Sequence, residues 1–208
     1  MMISLAWYSQ AWGATAKVPE DLKDLIIESP IPLKRFELMN HQHQPFNVKN
    51  LENKWTFIFF GYTHCPDICP ATLAELNTAA AQLTSQQNST KTPTAATETP
   101  NREIQYVFVS VDSARDTIDE LSEYISYFNK DFVAVTGLKE QLTELTTQLG
   151  VKFEIGDGTA TQYFVSHASA VLLIDPQARY YARFRAPHYS EELISGFNKI
   201  RDFHQLTQ

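Results

Sequence analysis

One run of apolar residues limits the folds open to this chain more than any other feature. Residues 55–60 read WTFIFF, in which a single threonine interrupts large apolar side chains. A strand with water on one face alternates apolar and polar residues, so a continuous apolar run predicts a strand covered on both faces. Such strands belong to parallel or mixed sheets. The run IQYVFVSV at residues 104–111 predicts a second strand of the same kind.

Apolar residues at helical spacing predict the helices that would cover this sheet. From Pro70 onward, Leu73, Leu76, Ala80 and Leu83 form one stripe. Residues 118–128 and 138–149 repeat apolar side chains every three or four positions, as amphipathic helices do. Ser190 is expected to cap the N-terminus of a last helix.

The remaining strands define the predicted fold class. Residues 151–155 and 171–174 are expected to be strands, and the latter turns through DPQA into residues 179–184. Residues 33–48, around the polar tip NHQHQP, are expected to form an N-terminal β-hairpin. The order β-α-β-α-α-β-β-α after this hairpin predicts an α/β protein. A thioredoxin-like fold, with a mixed central sheet and helices on both faces, fits that order.

Length and composition predict one domain and argue against some partners. The chain has 208 residues, within the range of a single domain, which we place at residues 33–208. Residues 17–32 are polar and rich in proline and are interpreted as a lead-in outside the core. Residues 84–100 (TSQQNSTKTPTAATETP) contain no apolar side chain larger than alanine and predict a low-complexity surface insertion. A net charge of −7 without a Lys/Arg cluster argues against nucleic acid and anionic membranes as ligands.

The first residues bear on the compartment of the protein. Residues 3–16 are mostly small or apolar and end in Ala-Thr-Ala, which resembles the end of a signal peptide without its basic first part. Residues 1–32 are therefore interpreted as a signal-peptide-like or exported lead-in. A frayed terminus that happens to contain alanines is the alternative. No stretch reaches the roughly 18–20 consecutive apolar residues that span a bilayer, so no membrane anchor is visible in the sequence.

The two cysteines are the strongest indication of a functional site. Cys65 and Cys69 are the whole supply, in the segment GYTHCPDICP between the first buried strand and the following helix. Ligands bind beyond the carboxyl ends of strands in open α/β sheets. Cys65 is expected in a loop and Cys69 at the start of the helix, where the helix dipole is expected to lower both thiol pKa values. A disulfide between them would close too short a loop to brace the fold.

Paired thiolates predict either a soft metal ion or a redox-active disulfide. Sulfur ligands favour copper(I), with zinc as a competitor that usually requires four protein ligands. His167 is the best candidate for a third ligand, because it is expected to open the strand at residues 168–174, beside the cysteine loop. His64 follows a strand end and is expected to point away from its neighbour Cys65. The other histidines are expected to be solvent-exposed: His41, His43, His188 and His204.

Four segments resemble the Sco/SenC family of copper-delivery proteins. They are residues 61–70 (GYTHCPDICP), 109–117 (VSVDSARDT), 135–137 (VTG) and 163–176 (YFVSHASAVLLIDP), and the resemblance runs from about residue 33 to residue 203. It implies a thioredoxin-like fold and one copper ion per chain, held by Cys65, Cys69 and His167. It also implies delivery to the dinuclear copper centre of cytochrome c oxidase, from an exported position on the periplasmic side of the inner membrane.

The sequence departs from the family pattern at two places. Ser166 stands where an aspartate often precedes the ligand histidine, which bears on metal affinity and docking. Ser113-Ala114 replaces a usual Pro-Glu. Asp67, Asp112 and Arg115 are candidates for tuning the site. For Asp112 and Asp116, turn formation and capping of a helix at residues 116–128 is the alternative role.

Two functions compete for this cysteine pair. The leading hypothesis is a copper metallochaperone, which is not an enzyme and whose partner is the copper-site subunit of cytochrome c oxidase. The alternative is a thiol–disulfide oxidoreductase that uses Cys65 and Cys69 to reduce the cysteines of the oxidase copper site. Other copper chaperones or thioredoxin-like reductants are further expected partners, and the chain is expected to be a monomer. Peroxidase chemistry and copper sensing are weaker alternatives.

Overall fold

The described residues of the chain form ten strands and four α-helices. The structure is a computed structural model that describes residues 17–89, 103–159 and 163–207. Its strands are β1 (Ile26–Pro32), β2 (Glu37–Asn40), β3 (Pro45–Asn47), β4 (Trp55–Gly61), β5 (Ile104–Ser110), β6 (Val133–Thr136), β7 (Phe153–Ile155), β8 (Val165–His167), β9 (Val171–Ile174) and β10 (Arg179–Phe184). Its helices are α1 (Ile68–Ser89), α2 (Ile118–Phe128), α3 (Lys139–Gln148) and α4 (Ser190–Leu206).

The main sheet has eight strands in the order β1-β10-β9-β4-β5-β6-β2-β3. β4 pairs in parallel with β5 and antiparallel with β9, so the sheet is mixed, as predicted. β2 and β3 form the predicted N-terminal hairpin, which joins the sheet where β2 pairs with β6. β7 and β8 pair with each other in a separate two-stranded sheet.

β4 is buried along its whole length, as its apolar run predicts. Phe57 and Phe59 pack in one core layer together with apolar residues of α1, α2 and α4. Ile58 and Phe60 pack in the other layer, with α3 and the hairpin. Because neighbouring side chains of a strand point to opposite faces, a strand covered on both sides must be apolar at every position. Helices on both faces of the sheet are therefore confirmed.

The helix beginnings differ in detail from the prediction. α2 begins at Ile118, where the Thr117 hydroxyl accepts from the Glu120 N–H at 3.2 Å and the Glu120 carboxylate accepts from the Thr117 N–H at 2.8 Å. Ser190 is not the cap of α4 but its first residue, after Tyr189, and its own N–H donates to Oε2 of Glu75 at 2.6 Å. A carboxylate on α1 thus satisfies the first free N–H of α4.

The predicted lead-in at residues 17–32 contains a strand of the main sheet, so its interpretation as a segment outside the core is wrong. Within it, β1 pairs antiparallel with β10, and Leu22 and Ile26 are buried. β1 is an edge strand, where proline is tolerated because one row of N–H groups needs no partner in the sheet. An edge strand can therefore have a polar, proline-rich composition, which is why the composition of this segment did not indicate a strand.

The predicted insertion begins too early, because α1 extends through residue 89 and the buried side chain of Leu83 anchors its last turns. Residues 90–100 of that insertion and the signal-peptide-like residues 3–16 lie outside the described residues. Over the parts of the chain that the structure describes, no helix is both long and apolar enough to cross a bilayer.

Candidate metal centre

The cysteine loop joins the end of β4 to the start of α1. Cys65 lies in the loop and is half-buried, whereas Cys69 lies in the first turn of α1 and is fully buried. The Cys69 N–H donates to Sγ of Cys65 at 3.5 Å, and both thiols are free. A Cβ atom at Gly61 would lie 2.8 Å from Sγ of Cys69 and 2.6 Å from Cε2 of Phe108. The backbone of the strand therefore passes directly against the buried thiol, where a side chain has no room.

His167 meets the cysteines from the other side of the loop. It is the last residue of β8 and does not open β9, so its predicted place in the chain is wrong, although the segment leading into β9 does pass the cysteine loop. Its Nε2 lies 3.6 Å from Sγ of Cys69. Its Nδ1 lies 3.0 Å from the carbonyl oxygen of Ala168, which makes Nδ1 the protonated nitrogen and leaves the Nε2 lone pair facing the thiol.

The three residues form one group of metal-ligating side chains. A sulfur of Cys65, a sulfur of Cys69 and a ring nitrogen of His167 all lie within 4.8 Å of one another. The imidazole packs edge-on against the rings of Phe59 and Tyr62, at centroid distances of 6.3 and 6.0 Å. This apolar surround limits the directions from which water or a competing ligand reaches the imidazole.

Burial shifts the pKa values of Cys69 and His167 in opposite directions, and both shifts favour the uncharged side chain. It lowers the pKa of His167, which keeps the imidazole neutral and able to bind a metal. It raises the pKa of the Cys69 thiol, and the contact with Cys65 adds to that shift. The expectation that the helix dipole lowers the pKa of Cys69 is therefore wrong, because desolvation of the thiolate outweighs the dipole. A metal ion must displace a proton from Cys69.

Two histidines stay at the surface. His43 is exposed at the hairpin tip, as predicted, and its side chain lies 3.4 Å from the Asp119 carboxylate. His64 is exposed beside the cysteine loop, with Nδ1 3.0 Å from the Thr63 hydroxyl and 3.6 Å from Asp116. His64 is not part of the ligand group, in line with its expected orientation away from Cys65.

Three histidines predicted at the surface are buried instead. Nδ1 of His41 accepts from the Ala134 N–H at 3.1 Å, and Nε2 of His188 donates to the Ser169 carbonyl at 2.7 Å. His204 is buried among aromatic rings of the α4 layer. Each of these histidines lies near the end of a strand or helix and is covered by a distant part of the chain. A local sequence pattern does not indicate such a tertiary contact.

Asp116 holds the beginning of the cysteine loop. Its buried carboxylate accepts from the Thr63 N–H at 2.9 Å and from the hydroxyls of Thr63 and Ser110, each at 2.6 Å. The capping role expected for Asp116 belongs to Thr117, as described above. Sequence reasoning missed Ser110 and Thr63. Their signal is a set of small polar residues at the ends of two neighbouring buried strands.

Asp112 connects the same region to the segment that carries His167. Its carboxylate accepts from Nε of Arg115 at 2.6 Å and from the hydroxyl of Tyr163 at 2.6 Å. No sequence pattern indicated Tyr163 beyond its place in the segment YFVSHASAVLLIDP. By contrast, Asp67 and Ser166 are exposed.

Comparison with known proteins is consistent across sequence and structure. The SCO1/SenC family model matches residues 28–202. A relative from Stutzerimonas stutzeri, named as a copper-binding protein, is 33% identical over 163 residues. These residues cover 78% of this chain and 74% of the relative. The mitochondrial SCO2 protein of Saccharomyces cerevisiae is 32% identical over 169 residues, 80% of this chain but only about half (51%) of the yeast protein.

A solved structure shows the same fold. Arabidopsis thaliana ScoI with copper bound superimposes with a TM-score of 0.69 at 27% sequence identity, over 83% of this chain and 98% of that chain. The thioredoxin-like α/β arrangement expected from the order of elements is thus confirmed.

Proposed function

This chain belongs to the SCO1/SenC family, and on that premise we propose that it binds one copper ion through Cys65, Cys69 and His167 and delivers it to the dinuclear copper centre of cytochrome c oxidase. The observation that carries the proposal is the convergence of two sulfurs and one imidazole nitrogen within 4.8 Å. The copper-bound structure of the Arabidopsis relative supports copper as the cargo.

The chemistry of the three donors suits a soft ion that must later be released. Two thiolates and one neutral imidazole favour copper(I). Three protein ligands hold the ion without closing every coordination position, so a thiol of the receiving protein has room to join before a ligand of this chain leaves. Cys65 is the more exposed of the two cysteines. It is the ligand at which the exchange begins.

The partner and the compartment belong to the same proposal. The partner is the copper-site subunit of cytochrome c oxidase, in keeping with the family's association with assembly of that enzyme. The protein acts as a monomer after export, on the periplasmic side of the inner membrane, as the signal-peptide-like residues 3–16 suggest. Other copper chaperones supply the ion, and thioredoxin-like reductants keep the cysteines reduced.

A second candidate function is favoured by the unequal burial of the cysteines. Cys65 is half-buried and its sulfur accepts the N–H of the buried Cys69 at 3.5 Å. As a thiolate, Cys65 would attack a partner disulfide and form a mixed disulfide while one partner thiolate leaves. Deprotonated Cys69 would then attack Cys65 and release the second partner thiolate. The pair ends as a disulfide, which a thioredoxin-like reductant must reduce again.

His167 distinguishes the two functions because only copper binding needs its imidazole. The reduced protein should bind one copper(I) per chain in competition with a chelator, and the oxidised protein should bind none. His167→Ala should weaken copper binding severely and leave the reaction of the thiols with a disulfide reagent at a similar rate. His43→Ala is the matched control, because it removes an exposed histidine outside the ligand group.

Oxidase assembly in cells provides the deciding readout. We expect His167→Ala and Cys65→Ser both to abolish assembly of the oxidase copper centre, and His43→Ala to leave it intact. If His167→Ala still supports assembly while Cys65→Ser does not, the reductase function is correct and the copper-ligand role of His167 is wrong.

A further inference from the structure

We propose that Arg115, Asp112 and Tyr163 form a positioning cluster that sets where His167 lies relative to the two cysteines, and so sets the affinity for copper. This inference rests on the function proposed above. None of the three residues belongs to the ligand group. They act through the segment that carries His167.

The core of the cluster is a buried ion pair. Nε and Nη2 of Arg115 each lie 2.6 Å from Oδ2 of Asp112, with 9% and 0% of the two side chains exposed. A buried pair persists only where further hydrogen bonds satisfy its remaining polar atoms. Tyr163 supplies one of these, since its hydroxyl donates to Oδ1 of Asp112 at 2.6 Å. Both carboxylate oxygens are thus engaged, one from the loop of Asp112 and one from the segment before β8.

The guanidinium of Arg115 also reaches both segments that carry the ligands. Its central carbon lies 3.5 Å from the ring centroid of Tyr163 and 5.7 Å from that of Tyr62. Tyr62 begins the cysteine loop directly after β4, and its ring packs edge-on against His167 at 6.0 Å. A planar cation between two aromatic rings attracts both. Arg115 therefore ties the start of the cysteine loop to the start of the His167 segment.

The His167 segment needs such a tie because the main sheet does not hold it. β8 has three residues, and in the described part of the chain its strand partner is β7, outside the eight-stranded sheet. The distance from His167 to the cysteines is thus fixed by side-chain contacts rather than by sheet register. Tyr163, four positions before His167, connects this segment directly to the buried carboxylate of Asp112.

The test compares this cluster with a matching ion pair elsewhere. Tyr163→Phe removes the hydroxyl and keeps the ring over Arg115, and Arg115→Lys keeps the charge and removes the planar fork. Arg179→Lys is the control. Arg179 makes the same pair with the buried Asp175, its Nε and Nη2 each 2.6 Å from Oδ2, at the turn between β9 and β10. That turn lies at the opposite end of β9 from the His167 segment.

Three measurements are made on each reduced protein: copper(I) affinity against a chelator, the urea midpoint of unfolding, and the ¹H–¹⁵N resonances of the His167 ring without metal. We expect Tyr163→Phe and Arg115→Lys to weaken copper binding about tenfold or more, the usual effect of removing a residue that orients a ligand. The same variants should shift the His167 resonances. Arg179→Lys should lower the urea midpoint and leave the copper affinity and these resonances unchanged.

Two results would overturn the cluster. In one, Tyr163→Phe and Arg115→Lys lower the urea midpoint but bind copper as the wild type does. In the other, Arg179→Lys weakens copper binding as much as they do, which would show a general loss of stability. A wild-type protein that binds no copper would refute the proposed function instead. The ring resonances of the metal-free protein would then still show whether the cluster positions His167.

Discussion

Two of the proposed copper ligands, Cys69 and His167, are prepared for copper to different degrees. Burial lowers the pKa of His167, so its imidazole is already in the form that binds a metal. Burial raises the pKa of Cys69, so its sulfur is a protonated thiol near neutral pH. The free energy gained by forming the copper–sulfur bond must therefore also remove this proton.

This difference predicts that copper binding releases protons. At pH 7 we expect at least one proton per copper(I), from Cys69, and an apparent affinity that rises as the pH rises. Each proton released contributes up to a tenfold increase in affinity per pH unit. Calorimetric titration in two buffers of different ionisation enthalpy measures the number released. Cys69→Ser should release one proton fewer than the wild type, and binding that is independent of pH would contradict the raised pKa.

At the residue scale, the sequence predicted which side chains would meet better than it described their surroundings. Cys65 and Cys69 follow a buried strand, and a general rule places ligands there. The burial of Cys69 depends on the backbone at Gly61 passing against its sulfur, a tertiary contact without any local pattern. The same limit explains His41 and His188, whose partners Ala134 and Ser169 belong to other elements.

At the scale of elements, the close passage of β4 beside α1 predicts the effect of Gly61→Ala. The new Cβ would approach Sγ of Cys69 and the ring of Phe108 within 3 Å, which costs about 1–3 kcal/mol of stability. We expect this variant also to bind copper more weakly, because Cys69 must shift. Urea unfolding and chelator competition measure the two effects.

Gly196→Ala is the control for that variant. Its Cβ would lie 2.7 Å from Cε1 of Phe184, a similar ring contact made by α4. It should lower stability to a comparable extent and leave copper affinity unchanged. If Gly61→Ala destabilises the fold while copper affinity stays at the wild-type value, Cys69 does not depend on the close approach of the strand.

Strands and helices were predictable where their own residues form a clear apolar pattern. They were not predictable where the element is very short or is held mainly by its neighbours. β4 and β5 are continuous apolar runs, and both are strands of the main sheet. β6 has only four residues, too few for a period to be recognised. β1 contains two prolines and has few buried positions, because it lies at the sheet edge.

At the scale of the whole molecule, the edge strand predicts a boundary for a stable domain. A chain that begins at residue 33 lacks β1 and the buried side chains of Leu22 and Ile26, each worth about 1.5–3 kcal/mol of burial. Relative to a chain that begins at residue 17, we expect a loss of about 3 kcal/mol or more in the free energy of unfolding, measured with urea. Equal stability of the two chains would show that residues 33–208 are a sufficient domain, as the sequence suggests.

Stability at acid pH should depend on the turn between β9 and β10. Burial alone would raise the pKa of Asp175, but hydrogen bonds from His204 and Arg179 hold it below its ordinary value. A carboxyl group with a lowered pKa in the folded state stabilises the fold above the unfolded pKa of about 3.9, and this contribution is lost as the pH falls through the folded value. Asp175→Asn should therefore be less stable at pH 7 and lose less stability below about pH 4 than the wild type.

Asp21→Asn provides the comparison for that experiment. It breaks an ion pair with Lys199 in which more than half of each side chain is exposed. Exposed pairs contribute little to stability, so its unfolding curves should follow the wild type across the pH range. Urea titrations at pH 7 and at about pH 3, below the unfolded pKa of the carboxyl group, test both variants. An Asp175→Asn protein with the pH dependence of the wild type would contradict a stabilising role for this carboxylate.

The separation of the ligands along the chain has a consequence for when the protein can take up its cargo. His167 follows Cys69 by 98 positions, and the segment that carries it reaches the cysteine loop only once β9 has paired beside β4. Contacts this distant in sequence form late in folding, since a long loop must close first. A ribosome-bound or partly translocated chain would hold two sulfurs and no third donor. Only completely folded molecules are therefore expected to bind copper with full affinity.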